Sequence, residues 1–168
     1  NVEDGSVSVI DTQALSEVAR IPVGSAPVQV AFTPAGDRVY VSLRDENRVA
    51  VIDTASREVT RRIDVGPNPI QTFVTSDGAY VYVANQGTEA APNDTVSVIG
   101  TATGQVVKTL TTGGGAHGVS ASADGALVFV TNIADDTVSI IDVRRQEVGK
   151  TVPVGDRPNG IVYGGPTR

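Results

Sequence analysis

The chain has 168 residues, 13 basic and 19 acidic, and a net charge of -6, which suffices for one substantial core but lacks the clustered Lys and Arg that phosphate binding requires. Valine fills 29 positions, Met, Trp and Cys are absent, and only three Phe and four Tyr occur, a balance that favours pleated packing over helices. Without Cys there are no disulfides, thiolate metal sites or cysteine nucleophiles, and no apolar run approaches the ~18 residues a membrane-spanning helix needs.

The first element in chain order is a strand at residues 7–11, VSVID. It returns as VAVID, VSVIG and VSIID in registers beginning at Val7, Val49, Val96 and Val138, spaced by 42, 47 and 42 residues. A turn at Asp11-Thr12 leads to an outer strand and then to a Gly-x-x-Pro loop. Gly24, Gly66, Gly113 and Gly155 each lie 17 residues after the corresponding valine, and Pro27, Pro69 and Pro158 follow, with Ala116 in the third copy. After each loop a strand such as residues 28–32 runs to a turn, for which Asp77-Gly78 and Asp124-Gly125 are strong two-residue hairpin signals because glycine accepts positive φ. Second strands at 39–42, 80–84 and 127–131 alternate with a period of two. The VSVID strand is third, and an outer strand such as 58–65, mixed in Arg, Glu and Val, is fourth. Arg61-Arg62 and Arg144-Arg145 read as charges decorating exposed edges rather than as a polyanion site. The five extra residues of the long repeat fall between Tyr82 and Val96.

A tandem array of four-stranded antiparallel units is either a propeller or a linear array. A propeller accounts better for so many valines and isoleucines, because its twisted sheets bury both faces against their neighbours. YVYVAN at 80–85, VFVTN at 128–132, the VSVID copies and the Val-Gly-x-x-Pro loop at 154–158 together resemble the YVTN family of β-propeller repeats over nearly the whole chain. The resemblance implies an all-β propeller of four-stranded antiparallel blades and a bacterial or archaeal protein that is periplasmic or secreted. Many such proteins are non-catalytic scaffolds, while related propellers hold haem or quinone cofactors or act as lactonases. The first repeat departs from the motif, since Leu43 stands where the asparagine should be and puts the hydrogen bonding of that turn in question.

Counting strands gives the third and fourth of one blade, three full blades, and a last first strand at residues 159–163, fifteen in all. The expectation is a single propeller domain over 1–168, or the C-terminal part of one, within a larger ring of about seven blades. A four-bladed ring lacking one strand and two chains pairing into an eight-bladed ring are the rivals. The chain begins at Asn1 with no charged and apolar leader, so a removed leader, proteolysis and a shortened chain fit equally.

By the repeat topology the Gly-x-x-Pro loops and the second-to-third-strand loops share one end, the expected functional face. His117, the only histidine, and the insertion GTEAAPND at 87–94 are assigned there to one irregular blade. The candidate binding-face residues are His117, Gln29, Gln71, Asn159, Asn85, Gln86, Glu89 and Asp94. Gln29 and Gln71 either line the central channel or satisfy backbone groups and water there. Asp4, Asp45, Glu46, Asp135 and Asp136 gather on the same face with Glu89 and Asp94. Calcium binding is weighed for them, but no calcium-loop spacing is present, and Asx-type turns explain them more simply. No catalytic residue and no metal ligand is assigned, since the lone histidine has no serine or acid partner fixed by spacing. The glycines at 113–115 precede a strand rather than a helix and so do not make a phosphate loop.

The leading expectation is a non-catalytic exported scaffold without a resident cofactor, whose loop face binds a protein, a peptide or a cell-envelope component. Nucleic acid and a membrane span are not expected, and self-association that completes the ring is a further expectation. The alternatives are a redox-associated propeller holding haem or quinone through His117, and a lactonase-like hydrolase.

Overall fold

The computed structural model describes residues 1–164, with fourteen strands and one short 3-10 turn among them. In chain order the strands are β1 (Ser6–Asp11), β2 (Ser16–Pro22), β3 (Pro27–Phe32), β4 (Arg38–Leu43), β5 (Arg48–Asp53), β6 (Glu58–Asp64) and β7 (Pro69–Val74). They continue as β8 (Tyr80–Gly87), β9 (Pro92–Gly100), β10 (Gln105–Thr111), β11 (Ala116–Ala121), β12 (Leu127–Asn132), β13 (Thr137–Asp142) and β14 (Glu147–Pro153). They form three antiparallel four-stranded sheets, β3–β6, β7–β10 and β11–β14, each in simple up-and-down order, preceded by the two-stranded pair β1–β2. The first strands of successive sheets are neighbours, β3 beside β7 and β7 beside β11, so the sheets stand as blades around a common axis with their first strands innermost.

Hydrophobic burial lies between blades. Tyr82, Val96 and Val98 of the second full blade pack on Val119, Val128 and Val130 of the third; Tyr40, Val49 and Val51 of the first meet Val81 and Val83 of the second. Ile21 and Val23 of the N-terminal pair close over Val39, Val41 and Ile52. Each fully buried valine is worth about 1.5–3 kcal/mol by transfer from water, so the two-faced valine strands supply the cohesion of the stack. Arginines add polar ties. The guanidinium of Arg61 donates to the carbonyl of Thr103 (2.9 Å) in the next blade and that of Arg62 to the carbonyl of Val23 (3.1 Å) in the preceding one. This pair therefore links neighbouring blades in both directions instead of merely decorating an edge.

The turns are built on the expected Asp and Gly residues, but the β7–β8 and β11–β12 connections are not two-residue hairpins, since residues 75–79 and 122–126 separate the strands and only the glycine of each pair takes a positive φ. The β1–β2, β5–β6 and β13–β14 turns are capped by the carboxylates of Asp11, Asp53 and Asp142, which accept amides two or three residues on. In the β7–β8 hairpin Gly78 takes φ +72°, and the carboxylate of Asp77 accepts from the Thr75 hydroxyl at 2.6 Å and the Ala79 amide at 2.9 Å. Those bonds, the hydroxyl first, hold Asp77 below the ordinary carboxylate range, and Asp124 is lowered in the same way by Ser122 and Ala126. A carboxylate depressed in the folded state stabilises the fold above its unfolded pKa, here the ordinary 3.8, and loses that contribution as pH falls through the lower folded value. The melting temperature of the chain is therefore expected to hold steady at neutral pH and to fall from about pH 4 downward. The double variant Asp77→Asn and Asp124→Asn should flatten that fall, as circular-dichroism melts across the acid range will show.

Two expectations need correction. Residues 159–163 form no strand: they lie beside β11, where the Tyr163 amide reaches Ser120 Oγ, but a strand needs a ladder partner and none pairs with them among the described residues. The insertion does not make a loose loop. It lengthens β8 and β9 into a protruding hairpin in which Gly87 pairs with Pro92 and the tip closes at Thr88 and Ala91. Among the described residues no helix is long and apolar enough to cross a membrane.

Candidate functional site

The protruding hairpin and His117 sit in adjacent blades, not in one: the hairpin joins β8 to β9, whereas His117 lies on β11. The repeat counted from the VSVID strand straddles two blades, since a blade begins one loop later, at the strand after Gly-x-x-Pro. The two features still approach each other, because the Gly115 amide donates to the carbonyl of Asn93 at the base of the hairpin (2.8 Å).

Between the hairpin and the loops of the third blade opens a cleft of about 340 Å3, bounded by Gln86, Thr88 and Glu89 of the hairpin, Gly115 and Ile133 of the third blade, and Arg157. Gln86 and Glu89 thus line one cleft. Arg157 was not among the candidates, yet it stands across the mouth with its guanidinium 3.9 Å from the Glu89 carboxylate, and both side chains are largely solvated. Its signal in sequence is positional: it occupies the residue before Pro158, where the backbone turns left-handed, as at Ala26 and Asn68. A solvated cation and carboxylate at the rim, with an amide and a hydroxyl at the wall, suit reversible binding of a small polar group or peptide. The cleft lining contains no nucleophile paired with a base.

The other candidates are placed differently. Asn85 is fully buried, and its Nδ2 donates to the hydroxyls of Thr95 and Ser97, each at 3.0 Å; Asn132 repeats this with Thr137 and Ser139, each at 2.9 Å. Asn85 is therefore a pin beneath the Gly-x-x-Pro loop and not a surface group. Where Leu43 replaces the asparagine, a fully buried leucine fills the space, and the carboxylate of Glu46 on the 3-10 turn Arg44–Glu46 accepts the amide of Ser25 (2.5 Å). Gln29 and Gln71 tie inner strands: Gln29 Oε1 accepts from the Thr72 amide and Gln71 Oε1 from the Val119 amide, each at 3.1 Å. These amides lie at bulges where the β7–β8 and β11–β12 registers shift, so a side chain from the preceding blade satisfies them. Asp94 is exposed away from the cleft lining, and Asn159 is exposed with its carbonyl against Gly118.

His117 is half-buried with Nδ1 enclosed and without a hydrogen-bond partner. Burial pushes its pKa below the ordinary value while the Asn159 carbonyl pulls the other way, so the ring is neutral near pH 7. Among the described residues neither a serine nor a carboxylate hydrogen-bonds it, and it does not line the cleft. The acids are spoken for locally: Asp4 and Asp45 pair with Arg20 and Arg44, Asp135 accepts the Gly114 amide at 2.7 Å, and Asp136 accepts the Arg157 amide at 2.8 Å. No group of three or more His, Asp or Glu side chains converges as a metal site would require, among the described residues.

Comparison with known proteins identifies the class of this scaffold. Residues 1–74 match the model of the cytochrome D1 heme domain family. The chain superposes on the structure titled Kuenenia stuttgartiensis hydrazine synthase with a TM-score of 0.84 at 25% identity, over 90% of this chain and 44% of that one. It thus spans less than half the length of that structural relative. No curated protein matches the chain. With its antiparallel four-stranded blades arranged about an axis, the chain is an all-β protein of β-propeller architecture.

Proposed function

We propose that this chain belongs to an exported, redox-associated propeller of YVTN-type repeats, in which it acts as a binding body and not as a donor of cofactor ligands. The observation that carries the redox reading is the match of residues 1–74 to the cytochrome D1 heme domain family; the likeness to a structure titled hydrazine synthase supports it. Both favour the redox-associated reading over a scaffold of unspecified purpose, and the periplasm is the compartment proposed for it.

The side chains present do not fit a haem held by this chain alone. Haem iron takes an axial His, Met, Cys thiolate or Tyr. The matched stretch contains no His, Met or Cys, and its one tyrosine, Tyr40, is 1% exposed within the interblade core. His117 lies outside that stretch with Nδ1 enclosed and Asn159 against it. What the chain offers instead is the cleft at the hairpin, with Arg157 and Glu89 at its mouth, as a docking point for a protein or peptide of the assembly.

The test isolates the native protein through a tag on this chain and records its visible spectrum before and after mild dissociation. A haem or quinone band that is present in the assembly and leaves with the partner is the expected result. A featureless assembly would overturn the redox association. A band that stays with the chain and is lost in His117→Ala would overturn the binding-body role.

A further inference from the structure

Each third strand turns into a fourth, and one of these turns differs from the rest. Asp11, Asp53 and Asp142 end β1, β5 and β13, and each carboxylate accepts an amide three residues on, from Ala14, Ser56 and Arg145, at 2.8 Å. β9 ends instead in Gly100, so its turn has no carboxylate of its own to accept the equivalent amide, that of Thr103. Beside this turn, between the first and second full blades, opens a pocket of about 220 Å3, lined by Arg38, Tyr40 and Arg61 of one blade and Thr101, Thr103 and Gly104 of the other.

Both guanidiniums are anchored through Nη1. Arg38 donates to the Thr101 carbonyl at 3.0 Å, and Arg61 to the carbonyls of Thr103 and Gly104 at 2.9 and 3.2 Å. Arg38 meets Asp37 only at 3.4 Å, through Nε, and among the described residues no carboxylate pairs with Arg61. Burial pushes the Tyr40 phenol up while Arg38 and, less strongly, Arg61 pull it down, which places its hydroxyl near both cations.

The corresponding place between the second and third blades supplies its own polar groups. Tyr82 stands there for Tyr40, and its hydroxyl takes Gln146 Nε2 at 2.9 Å. Asp142, at the position of Gly100, is near enough for its charge to add to the rise that burial chiefly causes in the Tyr82 phenol. In the first interface Gly104 replaces Gln146, and a Cβ on it would stand 2.5 Å from Arg61 Nη1. Gln146 and Arg57 take φ +55° and +59° at this turn position, so the glycine makes room for the guanidinium and is not demanded by the backbone.

We propose that this pocket binds a small dicarboxylate, one carboxylate taking the place of the absent aspartate side chain against the Thr103 amide and the other held by Arg38, Arg61 and the Tyr40 hydroxyl. The planar fork of a guanidinium matches a carboxylate, and the pocket admits one small molecule, not a polyanion. The site shares no residue with the hairpin cleft and stands independently of the redox reading.

Calorimetric titration of the protein with malonate tests this, with one saturable site expected. Arg61→Gln should weaken it about tenfold or more, the loss of a charge-assisted hydrogen bond, and Tyr40→Phe about threefold. Gly100→Asp should abolish binding, because the protein then supplies the carboxylate itself. Gly100 has no positive φ, and an added Cβ comes nearest to the side-chain ends of Thr103 and Val107, each at 3.1 Å, so aspartate fits with a small adjustment. The thermal midpoint of Gly100→Asp should hold or rise, which separates lost binding from unfolding. The absence of saturable heat in the wild-type protein, or wild-type affinity in Gly100→Asp or in both other variants, overturns the proposal. Inorganic phosphate binding as tightly as malonate overturns the assignment to a carboxylate ligand.

Discussion

Tyr82→Ala is expected to cost the fold about 3–5 kcal/mol, the range for truncating a large aromatic side chain in a packed core. Tyr82 is fully buried in the layer between the second and third full blades, where its ring meets β-branched side chains from both. Its hydroxyl accepts a hydrogen bond from Gln146 Nε2 at 2.9 Å, so one side chain supplies both apolar cohesion and a polar tie between blades. Tyr82→Phe separates the two. It keeps the ring and loses the acceptor, for about 1 kcal/mol, as urea denaturation will measure. Burial also pushes the Tyr82 phenol up to about 12. A raised folded pKa means that stability is fully present below the unfolded value near 10 and is lost as pH rises through the folded one. Alkaline unfolding in that window should weaken in Tyr82→Phe, with tyrosinate absorbance reporting the titration.

The layers that hold Tyr82 were legible in the sequence because propeller repeats write their register many times over. The VSVID copies and the loop glycines recur in one register, 17 residues apart in every copy, and turn chemistry is local, so the Asp77 carboxylate takes the Thr75 hydroxyl as its residue type allows. What was not legible depends on contacts between repeats. Nothing in the spelling of Gln29 says that its side chain will serve the Thr72 amide, because that need arises from a bulge in the next blade. Asn85 looked like a loop-face residue since it ends a strand, but its side chain turns inward to two hydroxyls ten and twelve residues on. The insertion was placed in a loop because the repeat alignment puts the extra residues between the second and third strands, yet pairing with β9 carried the strand on to Gly87. The cleft at its base includes Arg157, which lies far beyond Glu89 in the chain, and no local pattern reports that approach.

Asn85 also explains why glycine opens the loop above it, and this coupling is open to measurement. A Cβ built on Gly66 would overlap the Asn85 amide, and one on Gly113 would stand 2.7 Å from the Asn132 Nδ2. Neither glycine has a positive φ, so the requirement is for space and not for backbone freedom. Gly66→Ala must push a fully buried, doubly hydrogen-bonded side chain out of place, which for overpacking of this kind costs about 1–3 kcal/mol. Asn85→Ala removes the bonds to Thr95 and Ser97, for about 2 kcal/mol. In the double variant the new methyl occupies the volume the amide has vacated, so the two losses should fall short of their sum by about 1 kcal/mol or more. Additive losses in the denaturation cycle would show that Gly66 is required for some other reason. The first repeat is a natural comparison: Gly24 faces Leu43 and Glu46 instead of an asparagine, and a Cβ there would stand 2.9 Å from Leu43 Cδ1. Gly24 also takes φ +132°, which favours glycine by itself, and an added Cβ on Gly155 would meet nothing within 4 Å, so close approach to the strand end accounts for the glycine at Gly66 and Gly113, while the first loop needs it for its backbone as well.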